Sequence, residues 1–171
     1  MMKSKCVLLA LLTLMLPGSG SAQTSGSSVS LDVGAESVAR VVVYYHDVPV
    51  TGNNINFPLP INGLSQHFER VSDFFYVVGN VEQADVVFSD SSFVLYSTSG
   101  ANRKINLSGE FIFQNSPSSA LKPLHVPVLK NISEATVATG FKVHFTSEFL
   151  AGNYTQDTYA NSFTLLVKPI P

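Results

Sequence analysis

From Phe141 to Thr146 apolar and polar residues alternate without a break. Phe141, Val143 and Phe145 fall on one side of an extended chain, and Lys142, His144 and Thr146 on the other. The same period returns at Ile105, Leu107, Phe111 and Phe113, which share a parity with Gly109, although Ile112 breaks the polar side. Near the C-terminus Phe163, Leu165 and Val167 share a face opposite Thr164, Leu166 and Lys168. A period of two with one apolar face predicts sheets packed on one side. The pattern predicts strands at Val29–Val33, Ser37–His46, Phe74–Val78, Asp85–Ser89, Phe93–Thr98, Ile105–Phe113, His125–Leu129, Thr136–Thr146 and Ser162–Lys168. They are separated by Gly, Asn, Ser and Pro clusters. No stretch carries an apolar stripe of helical period with caps. A turn of helix competes only over Ile132–Ala138, where Thr136 and Val137 favour a strand. The expected architecture is all-β, a sandwich, with Gly52–Gln66 and Gln114–Pro123 as the long connections of a Greek key.

The N-terminus changes the picture. Lys3 and Lys5 precede an apolar run from Cys6 to Leu16, then Pro17-Gly18 and the small residues up to Ala22. This layout predicts a signal peptide over residues 1–22, with the mature chain starting at Gln23. The run is too short for a membrane span, which needs roughly 20 apolar residues. Removing 22 residues from 171 leaves 149, enough for one domain with its own core. The single cysteine, Cys6, leaves with the signal, so no disulfide or thiolate metal site is expected. Without Lys3 and Lys5, 8 basic and 12 acidic side chains remain, a net charge of −4. With no basic patch, nucleic acid is not an expected partner.

Searching for chemistry yields little. No serine sits in G-x-S-x-G, and no glycine-rich phosphate loop opens a helix. His46-Asp47 reads as surface or turn, and Asp85 and Asp90 as strand-end or turn residues around Val86–Ser89. His46, His67, His125 and His144 lack metal-ligand spacing, although folding can bring His125 and His144 together. Asn106, Asn131 and Asn153 begin N-x-S/T triplets, which we read as chance in an Asn- and Ser-rich chain. No catalytic residue, metal or cofactor is expected.

The two ends carry more. Residues 28–34 read Ser-Val-Ser-Leu-Asp-Val-Gly, an alternating comb of Val29, Leu31 and Val33 behind the polar lead Gln23–Ser28. Such a comb suits an added strand in an acceptor groove, or else the first edge strand of its own domain. At the other end Ala151-Gly152-Asn153-Tyr154 feeds the final alternating segment. Together, signal, length, comb and tail resemble the subunits of chaperone–usher pili, specifically the cysteine-free, colonisation-factor-like type. The tail alone is also similar to spore-coat-U-like domains. The missing disulfide and the ending Lys168-Pro169-Ile170-Pro171 depart from the type 1 kind.

That resemblance implies an immunoglobulin-like β-sandwich lacking one strand. It implies residues 23–34 as an N-terminal extension and 35–171 as the pilin domain. Val29, Leu31 and Val33 would be donor-strand plugs. Phe163, Leu165 and Val167 would border the groove and meet the chaperone. The implied partners are a periplasmic chaperone, an outer-membrane usher, related subunits in a head-to-tail filament, and a host receptor. The implied route is export through the inner membrane, transit through the periplasm and assembly into a cell-surface fimbrium. At 149 mature residues a second receptor domain has no room, which favours a shaft or adapter subunit. The rival reading is a self-contained exported binding module for carbohydrate or a receptor, in which residues 23–34 pair within their own domain. A chaperone of the same systems would run to about two domains, and an enzyme finds no motif.

Overall fold

The structure is a computed structural model that describes residues 33–170, and all that follows concerns these. Val29 and Leu31 therefore lie outside the described residues. Contacts divide the chain at Glu36, and residues from Ser37 onward form one unit.

Twelve strands follow one another: β1 (Val41–Tyr45), β2 (Val48–Pro49), β3 (Glu69–Val71), β4 (Phe75–Gly79), β5 (Gln83–Phe88), β6 (Phe93–Ser97), β7 (Lys104–Phe113), β8 (Ser116–Ser119), β9 (Leu124–Pro127), β10 (Phe141–Ser147), β11 (Tyr159–Ala160) and β12 (Leu165–Ile170). The larger sheet runs β11-β6-β7-β10-β4-β1-β2, with β3 added to β10 and β8 to β7. The smaller runs β12-β5-β9. The fold is all-β and sandwich-like, as the period-two pattern requires.

The core lies between the sheets because each contributes one alternating face. Phe141, Val143 and Phe145 point inward from β10, and Ala84, Val86 and Phe88 from β5. Phe111 of β7 is fully buried and stacks on Phe88 at 5.6 Å between ring centres. Aromatic pairs at such spacings add about 0.5–1.5 kcal/mol beyond the area they bury. Gly109 is the small residue that lets this cluster close. A Cβ there would stand 2.5 Å from the Phe93 ring and 2.9 Å from that of Phe145.

β3 and β4 line β10 in succession, joined by a bulge. Val71 faces His144 and Phe75 faces Phe141, so four residue steps oppose three. Buried Ser72 fills the break. Its N–H donates to Val143 O, and its hydroxyl accepts from Val143 N–H, both at 2.8 Å. The bulge turns Arg70 to the inner face and Glu69 to the outer.

Several expectations are corrected. Residues 136–140 form turns, so the strand read from Thr136 begins at Phe141, after a 3₁₀ turn at Ile132–Glu134. Gln114–Pro123 is not a long connection. Gln114 and Asn115 adopt positive φ (50° and 62°) in a two-residue hairpin turn that pairs β8 back on β7. His46 and Asp47 do the same between β1 and β2, so they are turn residues as read. Asp85 is not at a strand end: it lies within β5, between His125 of β9 and Lys168 of β12 in register. Asp90 accepts from Thr164 N–H at 2.9 Å, in the loop between β5 and β6.

Candidate strand-acceptor groove

β12 ends the described chain and pairs with β5 along one edge, from Leu165 against Phe88 to Ile170 against Gln83. No strand among the described residues pairs with its other edge. Leu165 and Val167 turn toward the core yet remain half-buried, while Leu166 and Lys168 are exposed. Phe163 precedes the strand, so the strand predicted over Ser162–Lys168 starts two residues beyond Phe163 and runs on to Ile170. Its ring stands 5.1 Å from Phe93 and 5.5 Å from Phe145.

A second unpaired stretch lies nearby. Ile55, Phe57 and Leu59 are half-buried against the core while Asn56 and Pro58 are exposed, a period of two without a strand. Among the described residues no backbone–backbone hydrogen bond ties 54–59 to any neighbour. Pro58 and Pro60 have no N–H to give. Side chains hold the segment instead. Phe57 stands 6.1 Å from Phe145, the ring that Phe163 also approaches. The Arg70 guanidinium lies 4.9 Å above Phe57, and its Nη1 donates to Pro58 O at 3.3 Å.

β1 approaches β12 to within 8 Å between Cα atoms but does not pair with it. Val41 and Val43 add further half-buried surface on that side. Toward the end of β12 the surface opens into a depression of about 440 Å³ lined by Ser37, Ala39, Asn80, Val81, Glu82, Gln83 and Ile170. Apolar side chains left half-covered beside an edge that no described strand pairs with form the kind of surface that an added strand satisfies. Its N–H and C=O groups would meet the free edge, and alternate side chains would fill the apolar row.

Of the predicted site residues, the structure brings Phe163, Leu165 and Val167 together along this row. Val33 is 83% exposed and lies in no strand. The sequence reading missed the 54–59 wall, although Ile55, Phe57 and Leu59 repeat at period two. Its two prolines marked the stretch as a loop. Arg70 was missed for want of any pattern around a three-residue strand.

The other candidate groups stay apart. His125 and His144 project from different sheets and are not brought together. Among the described residues no group of three or more His, Cys, Asp or Glu side chains is placed to hold a metal ion, and no helix is long and apolar enough to cross a membrane. Asp157 is tied by the hydroxyls of Ser97 and Ser99, at 2.6 and 2.8 Å. Those hydroxyls, Ser97 first, hold its carboxyl below the usual value.

Compared with known proteins, the chain matches no protein-family model and no curated sequence. Among solved structures it is similar to one chain of a chaperone–tip adhesin complex of CFA/I fimbriae biogenesis. The TM-score is 0.52 at 10% identity, over 76% of this chain and 42% of that one. The likeness is one of fold, and this chain spans about two-fifths of that chain's length.

Proposed function

We propose that this chain is a structural subunit of a bacterial surface fimbria that polymerises by donor-strand exchange and supports adhesion. The observation that carries the reading is that no described strand pairs with the outer edge of β12, beside the half-buried row Phe163, Leu165 and Val167, while the unpaired 54–59 segment reaches the same Phe145 ring as Phe163. The fold-level likeness to a chain from a fimbrial chaperone–adhesin complex supports it. In this reading the domain is an immunoglobulin-like sandwich one strand short. A periplasmic chaperone covers the groove during export, and an usher receives the subunit at the outer membrane. The extension of the next subunit then replaces the chaperone. Val29, Leu31 and Val33 are the plugs. Each buried Val or Leu contributes roughly 1.5–3 kcal/mol before the cost of ordering the strand. The contact is head-to-tail, so it generates an open filament rather than a ring.

The test compares thermal unfolding of residues 35–171 with the same chain carrying residues 23–34 behind Pro171 through a flexible linker. Tethering removes most of the association cost, so a strand that fits the groove raises the midpoint strongly. Equal midpoints would sink the donor-strand reading and leave the self-contained exported binding module in its place.

A further inference from the structure

His144 lies on the outer face of β10, with its side chain 17% exposed. Its Nε2 stands 2.9 Å from Glu69 Oε1 and its Nδ1 3.2 Å from Glu110 Oε2. Glu110 is directly opposite on β7, and Glu69 is diagonal on β3. An ionised carboxylate only accepts hydrogen bonds, and a neutral imidazole has one N–H to give. A ring that satisfies both contacts therefore carries both protons. When one proton leaves, one carboxylate faces a lone pair.

These contacts hold more than a side chain. β3 has three residues, and β10 is its partner strand. From its inner face Arg70 reaches Phe57 and Pro58, so β3 also fixes the 54–59 segment.

We propose that His144 is a proton-operated clamp: as imidazolium it ties β3 to β10 and β7 and, through Arg70, fixes the 54–59 wall of the groove. The role of that wall rests on the acceptor-strand reading above, whereas the clamp on β3 does not. The charged groups around the ring are Glu69 from β3, Glu110 from β7 and Lys142 on the same face of β10. The Nζ of Lys142 lies over the Phe74 ring at 4.3 Å. From β8, Ser119 stands opposite Glu110 and brings no charge. His67 is turned to Ser147 O, with its Nδ1 at 2.7 Å.

The sign follows from the two partners. The Ser65 hydroxyl, at 2.6 Å, holds the Glu69 carboxyl below its usual value; burial opposes this and His144 adds to it. On the acid side the clamp thus survives into the range where ordinary carboxylates protonate. On the alkaline side it needs the imidazolium, because a neutral ring leaves one of the two carboxylates without a donor. The clamp is closed in mild acid and opens as pH rises.

Amide exchange followed by NMR on the mature chain tests this, at about pH 5.5 and about pH 8, either side of the imidazole range. After correction for intrinsic rates, protection at Arg70 and Ser72 falls about tenfold at the higher pH, the size of one charge-assisted hydrogen bond. Protection at Phe111 and, in the smaller sheet, at Val86 stays level. The response disappears in His144→Gln. Unchanged protection in the unsubstituted chain, or the same fall in His144→Gln, overturns the clamp. A labelled peptide of residues 23–34 supplies the second readout, and it binds more tightly in mild acid. Equal affinity at both pH values, with β3 still responding, overturns the coupling to the wall. No binding at either pH, with β3 still responding, overturns the acceptor reading and leaves the clamp standing.

Discussion

The two flanks of the sandwich are finished to different degrees. On the β7–β10 flank Phe111, Phe141 and Phe145 each meet other rings. Phe111 and Phe141 are fully buried, and the strands pair over seven registered positions. On the β12 flank the inward residues are of similar type, yet Phe163, Leu165 and Val167 stay half-covered beside an edge that pairs with no strand among the described residues. Apolar content does not separate the two. What differs is whether a backbone stands on the far side to close the layer. A sheet edge with its apolar row exposed behaves as an unfinished interior, and interiors left open invite a partner.

The sharpest way to break this comparison is to truncate one ring or side chain on each flank. Phe111→Ala in the closed flank is expected to cost about 3–5 kcal/mol by denaturant unfolding. Val167→Ala in the open flank costs about 1 kcal/mol or less in the same measurement, because a half-buried side chain has less to lose. If the donor strand is supplied, the Val167→Ala cost rises toward that of a buried valine. A Val167→Ala cost in the free chain equal to that of Val143→Ala, a buried valine of the closed flank, would mean that the β12 flank is already closed.

Gly109→Ala probes how tightly the closed flank is packed. The new Cβ meets two aromatic rings that cannot both retreat, so unfolding is easier by about 1–3 kcal/mol. A smaller effect is expected from acid, away from both flanks. Asp157, held below its usual value, stabilises the pairing of β6 with β11 above the ordinary carboxylate range. That contribution is lost as pH falls through its lowered value. Thermal midpoints of the wild-type chain and Asp157→Asn therefore differ at neutral pH and converge in acid. The smallest effect is expected at Leu166, which is exposed on the outer side of β12. Leu166→Thr changes the midpoint by no more than about 0.5 kcal/mol equivalent.

Long alternating segments were legible in the sequence because burial on one face leaves a period that no tertiary contact erases. β5, β6, β7, β10 and the inner face of β12 are cases. Short strands were not. β3 has three residues and β2 and β11 two each, so their existence depends on a neighbour's edge rather than on their own pattern. The β7–β8 hairpin escaped because Gln114-Asn115 takes positive φ without glycine. Thr136 and Val137 favour strands but are held in turns, with Gly140 N–H donating back to Thr136 O at 3.2 Å. Of the candidate groove, the terminal row Phe163, Leu165 and Val167 was visible. Its opposite wall was hidden because Pro58 and Pro60 look like breakers. Pro58 also removes one donor from the middle of that wall, which keeps it from forming a complete strand ladder.

The order of the smaller sheet sets a timetable as well as a shape. β5 sits at its centre, yet its neighbour β12 arrives 77 residues after Phe88. A chain made at about 5–20 residues per second leaves that edge of β5 without its partner for about 4–15 seconds. During that interval the N–H and C=O groups along the edge are available to any extended segment that passes, including one from another copy. Nascent chains arrested before Leu165 should therefore be held by a chaperone more strongly than chains whose Ile170 is carried clear of the ribosome by an added C-terminal linker.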